Sequence, residues 1–204
     1  MSALVTEPPT RAGRGGRPRD PSRDDVIRAA ILQLLGEVGY GALTMDAVAA
    51  EAGVGKATIY RRWRTKQDLV VDTVSDLNRA WTVTADTGSL EGDLRSLVHR
   101  MVEMMASPVG AATRSLLAAM QHEPALIEAF RDGPLAVWRR AYDELWARAQ
   151  ARGEVGPGLP QSIPAEATTA LLVQRWLVTR EPVDTAYADA VLEAVVLPLV
   201  RRAG

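Results

Sequence analysis

TMDAVAAEAGVGKATIYRRW, residues Thr44 to Trp63, is the most informative stretch of this 204-residue chain. Its pattern predicts two short helices joined by a turn. Thr44 is typical of a helix N-cap, because its hydroxyl can accept a hydrogen bond from an otherwise unpaired amide of the first turn. Gly53 stands where the first helix needs a residue with left-handed backbone in order to stop. The second helix is predicted to run from Lys56 to Trp63.

The second helix has two chemically different faces. Ile59 and Trp63 are four residues apart, so they share one face, and we expect that face to be buried. The other face carries small, basic and hydrogen-bonding side chains: Lys56, Ala57, Thr58, Tyr60, Arg61 and Arg62. Two helices with a tight glycine turn and a basic second helix are typical of the helix-turn-helix, whose second helix enters the DNA major groove. The alternative is a solvated helix face without a partner.

The segment from Ser22 to Leu69 resembles the DNA-binding domain of the TetR/AcrR family of bacterial transcriptional regulators. The matching pieces are Leu43-Thr44-Met45, Val48-Ala49, Ala52-Gly53-Val54, Thr58-Ile59-Tyr60 and Lys66-Asp68-Leu69. The sequence departs from the family at Gly55 and Trp63, where serine and phenylalanine are usual. The resemblance implies a three-helix DNA-binding domain over residues 22–67 and a helical effector-binding and dimerisation domain over residues 68–204.

The resemblance also assigns roles to individual side chains. Those that match phosphate-binding positions are Thr44, Tyr60 and Lys66, and those that match positions facing base edges are Lys56, Ala57 and Thr58. The chemistry agrees, because lysine can donate to guanine and the methyl groups of alanine and threonine suit the thymine methyl. Arg61 and Arg62 could serve either purpose.

Residues 1–21 have no hydrophobic periodicity and many prolines and glycines, so we expect a mobile arm. Within RAGRGGRPRD, residues 11–20, Arg14 and Arg17 are two of four arginines that glycine and proline separate. Arginines on a slender backbone can enter a narrow minor groove and bind its negative potential. The alternative is a solvated tail that contacts nothing.

Bulk composition narrows the class of protein. Hydrophobic residues make up 47% and charged residues 24% of the chain, which is typical of a soluble globular protein. Cysteine is absent, so disulfides and thiolate metal sites are excluded. No apolar run approaches the roughly 20 residues that span a bilayer, and the N-terminus lacks a signal-like apolar segment. We therefore expect a cytoplasmic protein without membrane contact, metal or cofactor.

Charge is distributed unevenly along the chain. Residues 11–67 hold eleven Lys or Arg against six Asp or Glu, whereas residues 71–204 hold thirteen against seventeen. A basic first part and an acidic second part are what a DNA-binding domain joined to a different kind of domain would show.

The remaining sequence shows helical periodicity and no strand pattern, so we predict an all-α fold. Thr65 can cap a helix that runs from Lys66 to about Trp81 and crosses the domain boundary. Further helices are predicted at residues 90–106, 111–120, 123–131, 135–152, 165–179 and 183–202. Gly133-Pro134 is expected to end one helix, and Pro198 to kink or fray the last.

The resemblance implies that the second domain senses a ligand. Aromatic and methionine side chains suit an adaptable apolar pocket. The candidate lining residues are Trp81, Met101, Met105, Leu116, Met120, Phe130, Trp138, Tyr142 and Trp176. For each of them the alternative is simple core packing. The two histidines, His99 and His122, are expected at the surface or at helix ends.

The last two helices, at about residues 165–179 and 183–202, are predicted to form a homodimer interface. The final helix carries a long apolar stripe that needs cover, and a two-fold dimer supplies it. Two copies would present two recognition helices to a palindromic site in double-stranded DNA. The alternative is that both helices pack fully within one chain.

Together these features predict a ligand-responsive, sequence-specific transcriptional regulator, most simply a homodimeric repressor that a small hydrophobic effector releases from its operator. The alternatives are an activator of the same fold and a DNA-binding protein that ignores ligands. An enzyme is disfavoured, because the sequence has no cysteine, no G-x-S-x-G, no H-E-x-x-H and no phosphate-binding loop.

Overall fold

The computed structural model describes residues 21–156 and 162–201, and all regular structure in these two ranges is helical. The all-α fold is therefore confirmed. The first part of the chain forms five helices: α1 Pro21–Glu37, α2 Gly39–Ala42, α3 Met45–Glu51, α4 Lys56–Tyr60 and α5 Lys66–Trp81.

Capping side chains explain where α3 and α5, the helices on either side of α4, begin. Thr44 accepts a hydrogen bond from the Ala47 amide at 3.1 Å and so caps α3 as predicted. Thr65 and Asp68 form a capping box at the start of α5, in which each side chain accepts from the other residue's backbone amide. These two reciprocal bonds fix the first turn of α5.

The second part of the chain contains seven helices within the described ranges. They are α6 Leu90–Ala106, α7 Pro108–Ala119, α8 Pro124–Phe130, α9 Ala136–Ala151, α10 Ser162–Val173, α11 Thr185–Val191 and α12 Leu197–Arg201. Among the described residues, short π-helical segments Arg131–Leu135 and Leu192–Val196 connect α8 to α9 and α11 to α12, and a third, Gln174–Thr179, extends α10. The helices predicted at 165–179 and 183–202 are thus present, but each contains a π-helical segment.

Gly133-Pro134 does not end a helix, so that prediction is wrong. The helical backbone continues through both residues as the π-helical segment between α8 and α9. Proline lacks an N–H and cannot complete the α-helical hydrogen-bond pattern, and a wider turn accommodates the interruption. A Cβ on Gly133 would lie 2.8 Å from Ser75 Oγ and from Val71 Cγ1. The bare glycine therefore lets this segment pack closely on α5.

The first hydrophobic core lies beneath α3 and α4 and extends beyond the predicted first domain. Ile27 of α1, Val48 of α3 and Ile59 of α4 are completely buried in it. The same cluster includes residues of α5, α7 and α8: Leu69, Val70, Val74, Ala112, Leu116 and Leu126. Helices assigned to the second domain thus complete the core that supports the first.

The second hydrophobic core is formed by α6, α9 and α10 to α12. The stripe predicted on the last helix lies in this core, where Ala188, Val191, Leu192 and Val196 are buried. Contacts from α6 and α10 cover it. Most of the stripe is thus buried within one chain, but Val195 and Leu199 are only half-buried, and the homodimer stays a prediction. Pro198 was expected to kink or fray this helix; a π-helical segment precedes it, and α12 continues through it to Arg201, the last described residue.

Candidate nucleic-acid interface

The turn between α3 and α4 is held by backbone hydrogen bonds. Gly53 has φ +61°, as the sequence predicted, and its amide bonds the Ala50 carbonyl at 3.1 Å. The Val54 amide bonds the Ala49 carbonyl at 3.0 Å. This pair of bonds is the Schellman pattern, which satisfies the last carbonyls of α3 and reverses the chain.

Helix α4 is shorter than predicted, because it ends at Tyr60 rather than at Trp63. The Arg62 amide bonds the Ile59 carbonyl at 2.9 Å, which is a tighter turn than the α-helical spacing. Ile59 is fully buried as expected, but Trp63 is only half-buried. The Trp63 indole Nε1 donates to Asp72 Oδ2 at 2.9 Å, and this polar contact keeps the ring at the edge of the core.

Five of the six side chains expected on the outer face of α4 do form one surface. We call Lys56, Ala57, Thr58, Tyr60 and Arg61 the reading face. Thr58 is half-buried, and the other four are exposed. The face follows a hydrogen-bonded turn, and it combines donors with small methyl groups. A surface of this kind can enter a groove and contact both phosphates and base edges.

Asp46 of α3 contacts the reading face, a contact that was not expected from the sequence. Its Oδ2 accepts from Lys56 Nζ at 2.5 Å, and its Oδ1 accepts from the Tyr60 hydroxyl at 3.3 Å. The hydrogen bond with Asp46 raises the pKa of Lys56, and the same bond lowers the pKa of Asp46. The contact spans ten residues and a chain reversal, so no helical spacing predicts it.

Arg62 lies apart from the reading face. Its guanidinium forms an ion pair with Asp24 of α1, and the Arg62 side chain is only 19% exposed. It also lies 5.8 Å from the centre of the Trp63 ring. This arginine links α1 to the residues that follow α4.

Thr44 and Lys66 flank α3 and α4 and have structural contacts of their own. Thr44 is exposed and uses its hydroxyl as the α3 cap. Lys66 Nζ donates to the carbonyl oxygens of Tyr40 at 2.9 Å and Gly41 at 3.2 Å. It also lies 4.4 Å from the centre of the Tyr40 ring. Burial, with Glu123 nearby, raises the pKa of Tyr40 to about 12, so this ring remains neutral beside the ammonium.

Arg14 and Arg17, the candidate minor-groove arginines, lie outside the described residues. Within those residues, no cluster of His, Asp and Glu has the arrangement of a metal site. His122 is exposed, and His99 Nε2 lies 2.7 Å from Asp189 Oδ1. A search of the same ranges finds no helix both long and apolar enough to cross a membrane.

The nine candidate ligand-lining residues do not come together. Six of them belong to or pack against the second core: Trp81, Met101, Met105, Trp138, Tyr142 and Trp176. The other three belong to or pack against the first core: Leu116, Met120 and Phe130. Helix α7 explains this division, because its face that carries Leu116 packs on α1 and α2 rather than on α9.

Two polar atoms in the second core have no hydrogen-bond partner among the described residues. They are the Tyr142 hydroxyl and the Trp146 Nε1, which lie one turn apart on α9. Burial raises the pKa of Tyr142 to about 12, and the Thr168 and Thr169 hydroxyls, which lie near the phenol without the geometry of a full hydrogen bond, offset this only in part. An unpaired buried polar atom is costly, so these two mark a place where a polar group would be stabilised.

A separate cleft of about 570 Å³ lies between α5 and the start of α9. No pattern in the sequence predicts this cleft, and none of the nine candidate residues lines it. Its lining is mainly charged and polar: Arg62, Trp63, Asp68, Val71, Asp72, Ser75, Arg79, Asp132, Gly133, Val137 and Arg140.

Comparison with known proteins agrees with this architecture. The family model described as bacterial regulatory proteins, tetR family, matches residues 27–73. The model of the tetracyclin repressor-like C-terminal domain matches residues 84–195. The two matches fall on the helix-turn-helix region and on the second group of helices.

Individual relatives cover nearly the whole chain. An uncharacterised HTH-type transcriptional regulator of Mycobacterium tuberculosis is 31% identical over 193 residues, covering 91% of this chain and 94% of the relative. The DNA-binding transcriptional repressor TetR of Mycobacteroides abscessus is 29% identical over 184 residues, covering 90% and 96%. The crystal structure of a TetR family transcription regulator has a TM-score of 0.71 at 26% identity, covering 87% and 97%.

Fold, reading face and relatives together define an all-α, helix-turn-helix regulator that binds DNA, and not an enzyme. The chain belongs to the TetR family of bacterial transcriptional regulators.

The contacts of Lys66 lead to a prediction about stability. Replacing Lys66 with Met removes two charge-assisted hydrogen bonds to the carbonyls of α2 but keeps the aliphatic stem. We expect the free energy of unfolding to fall by about 1–2 kcal/mol in urea titrations, less than full burial would give because the site is partly exposed. Arg64→Met is the matched control, since Arg64 is exposed two residues away. Equal stability of both variants would contradict this structural role.

Proposed function

We propose that this protein is a homodimeric repressor that binds a palindromic operator through two copies of the reading face and leaves it when a small apolar molecule binds the second domain. The observation that carries the proposal is the exposed reading face on a turn held by a buried core. The M. abscessus relative is a transcriptional repressor, which supports repression rather than activation. We retain the division into a DNA-binding part, residues 22–67, and an effector-binding part, residues 68–204.

The structure supports different roles for the proposed DNA contacts, some with base edges and others with phosphates. Lys56, Ala57 and Thr58 lie in the first turn of α4, where side chains reach base edges in helix-turn-helix proteins. Thr44 and Tyr60 are exposed beside them and suit phosphates. Lys66 uses two N–H groups for the α2 carbonyls, and a lysine has a third that can reach a phosphate.

The two arginines after α4 differ in their contacts within the protein. Arg61 is exposed and free to approach DNA, whereas the guanidinium of Arg62 is engaged by Asp24. We assign Arg61 a direct contact with DNA and Arg62 a supporting role. In that role, Arg62 would hold α1 against the end of the recognition helix.

The first test is operator binding. We expect the purified protein to bind an inverted repeat in the DNA upstream of its own gene, and Tyr60→Ala to weaken that binding about five- to fiftyfold in fluorescence anisotropy. Val26→Ala, on the exposed side of α1, is the control and should leave affinity within twofold. Binding without sequence preference would favour a ligand-independent DNA organiser, and unchanged affinity of the Tyr60 variant would refute the proposed interface.

The dimer is proposed to form through the exposed faces of α10 and α11 rather than through the buried stripe. The outer side of α10 and the following π-helical segment presents Ile163, Ala170 and Val178. The outer side of α11 and the next segment presents Ala186, Ala190 and Ala194. Small and apolar side chains on two neighbouring helices allow the equivalent pair of a second copy to approach closely.

This interface makes a prediction about assembly. Val178 is 71% exposed, and an arginine there would place charge inside the proposed contact. We expect Val178→Arg to raise the dimer dissociation constant at least tenfold in light-scattering measurements across a dilution series. Val83→Arg is matched in residue type and exposure, since Val83 is 67% exposed outside this surface, and should remain dimeric. A monomeric parent protein would refute the dimer.

The effector is proposed to enter the second core beside Tyr142. Met101, Met105, Trp138 and Trp176 surround this region with adaptable apolar surface, and the unpaired Tyr142 hydroxyl can receive a polar group. We therefore expect an apolar molecule with at least one hydrogen-bonding group. Two proteins of similar fold are a flavonoid-responsive regulator, at 21% identity, and a Bacillus subtilis regulator solved in complex with stearoyl-CoA, at 19% identity. Both compound classes are suitable probes.

A thermal-shift screen with flavonoids, acyl-CoA esters and unrelated apolar compounds tests this assignment. A compound that raises the melting temperature should also dissociate the operator complex. Tyr142→Phe should keep operator affinity and weaken that compound about three- to tenfold, the value of one hydrogen bond. Tyr187→Phe, on α11, is the control. A compound that acts equally on wild type and Tyr142→Phe would place the effector elsewhere.

A further inference from the structure

One carboxylate joins two side chains of the reading face. Asp46 lies in the first turn of α3, across the glycine turn from α4, and each of its oxygens accepts one hydrogen bond, from Lys56 or from Tyr60. The side chains of Lys56 and Asp46 are 66% and 50% exposed. The pair therefore stands on the surface that would approach DNA.

Pairing changes what Lys56 offers to DNA. A lysine ammonium is a point charge on a flexible stem, and it has three N–H donors. The nearby carboxylate offsets the charge and occupies one donor, while two donors remain. Attraction to phosphates depends on the net local charge, whereas donation to a base acceptor depends on where the N–H groups lie. Pairing with Asp46 therefore weakens the attraction of Lys56 to phosphates and orients its hydrogen-bond donation to a base.

We propose that Asp46 is a specificity-determining residue of this regulator, an inference that rests on the DNA-binding role proposed above. Asp46 holds Lys56 over the base edges and offsets its charge, so that arbitrary DNA gains little from this lysine. An operator with a guanine O6 or N7 at that position receives a hydrogen bond from the tethered ammonium. Asp46 therefore lowers affinity for non-operator DNA more than it lowers affinity for the operator.

Asp46→Asn tests the proposal in the full-length protein. Two duplexes of equal length are compared by fluorescence anisotropy over a series of salt concentrations: an operator selected from random duplexes with the wild-type protein, and its scrambled sequence. We expect Asp46→Asn to bind the scrambled duplex at least about fivefold more tightly, with a salt slope steeper by about one. Operator affinity changes less, so the ratio of the two affinities falls. An unchanged ratio would overturn the proposal.

Glu51→Gln is the matched control. It removes the same charge from the last residue of α3, where Glu51 is exposed and, within the described part of the chain, forms no ion pair with Lys56. We expect this variant to leave the ratio of affinities within about twofold, because general charge effects fall off with distance and salt. An equal fall of the ratio in both variants would show that net charge alone is responsible, and would refute a specific role of Asp46.

Lys56→Met gives an independent test that does not require the Asp46 variant to fold. We expect it to weaken operator binding and to leave the scrambled duplex nearly unchanged, and to abolish the effect of Asp46→Asn in the double variant. Equal weakening toward both duplexes, with a smaller salt slope, would identify an ordinary phosphate contact and overturn the proposal. A wild-type protein that selects no operator would instead refute the proposed DNA-binding function itself.

Discussion

A helix of five residues does not persist in water by itself, so the exposed face of α4 depends on the contacts that hold this helix. Complete burial of Ile59 attaches it to the first core, and the bonds around Gly53 set its direction relative to α3. The ion pair between Arg62 and Asp24 ties its end to α1. These three contacts hold the reading face in place from the core, from α3 and from α1.

The support for α4 continues into the second half of the chain. The Tyr40 amide donates to Ser115 Oγ of α7 at 2.7 Å, and Gln67 donates to the Ala125 carbonyl of α8 at 3.1 Å. Leu116 and Leu126 are fully buried in the same core as Ile59. A shift of α7 or α8 would therefore repack the core beneath α4, since close-packed interiors do not deform continuously. The two parts of the chain thus share one core, and α4 packs on residues from both.

The excess of basic residues in the first part of the chain does not by itself determine the electrostatic potential at its surface. Arg28 pairs with Asp25 and Asp76, and Arg62 pairs with Asp24. Lys56 shares a carboxylate with Tyr60, and Lys66 is bound to carbonyl oxygens. Several cations thus have partners within the protein, and the remaining local charge depends on their geometry. The same excess of basic residues could produce strong or weak non-specific binding.

Local chemistry in the sequence determined the fold class, the caps at Thr44 and Thr65, the reversal at Gly53 and the outward position of the reading face. Each of these depends on partners within a few residues or on helical periodicity, which a sequence displays directly. Tertiary structure alone decided the contact of Asp46 with Lys56, the diversion of Arg62 to Asp24 and the separation of Leu116 from Trp138. These depend on how helices distant in sequence cross and pack, and no spacing along the chain encodes those distances.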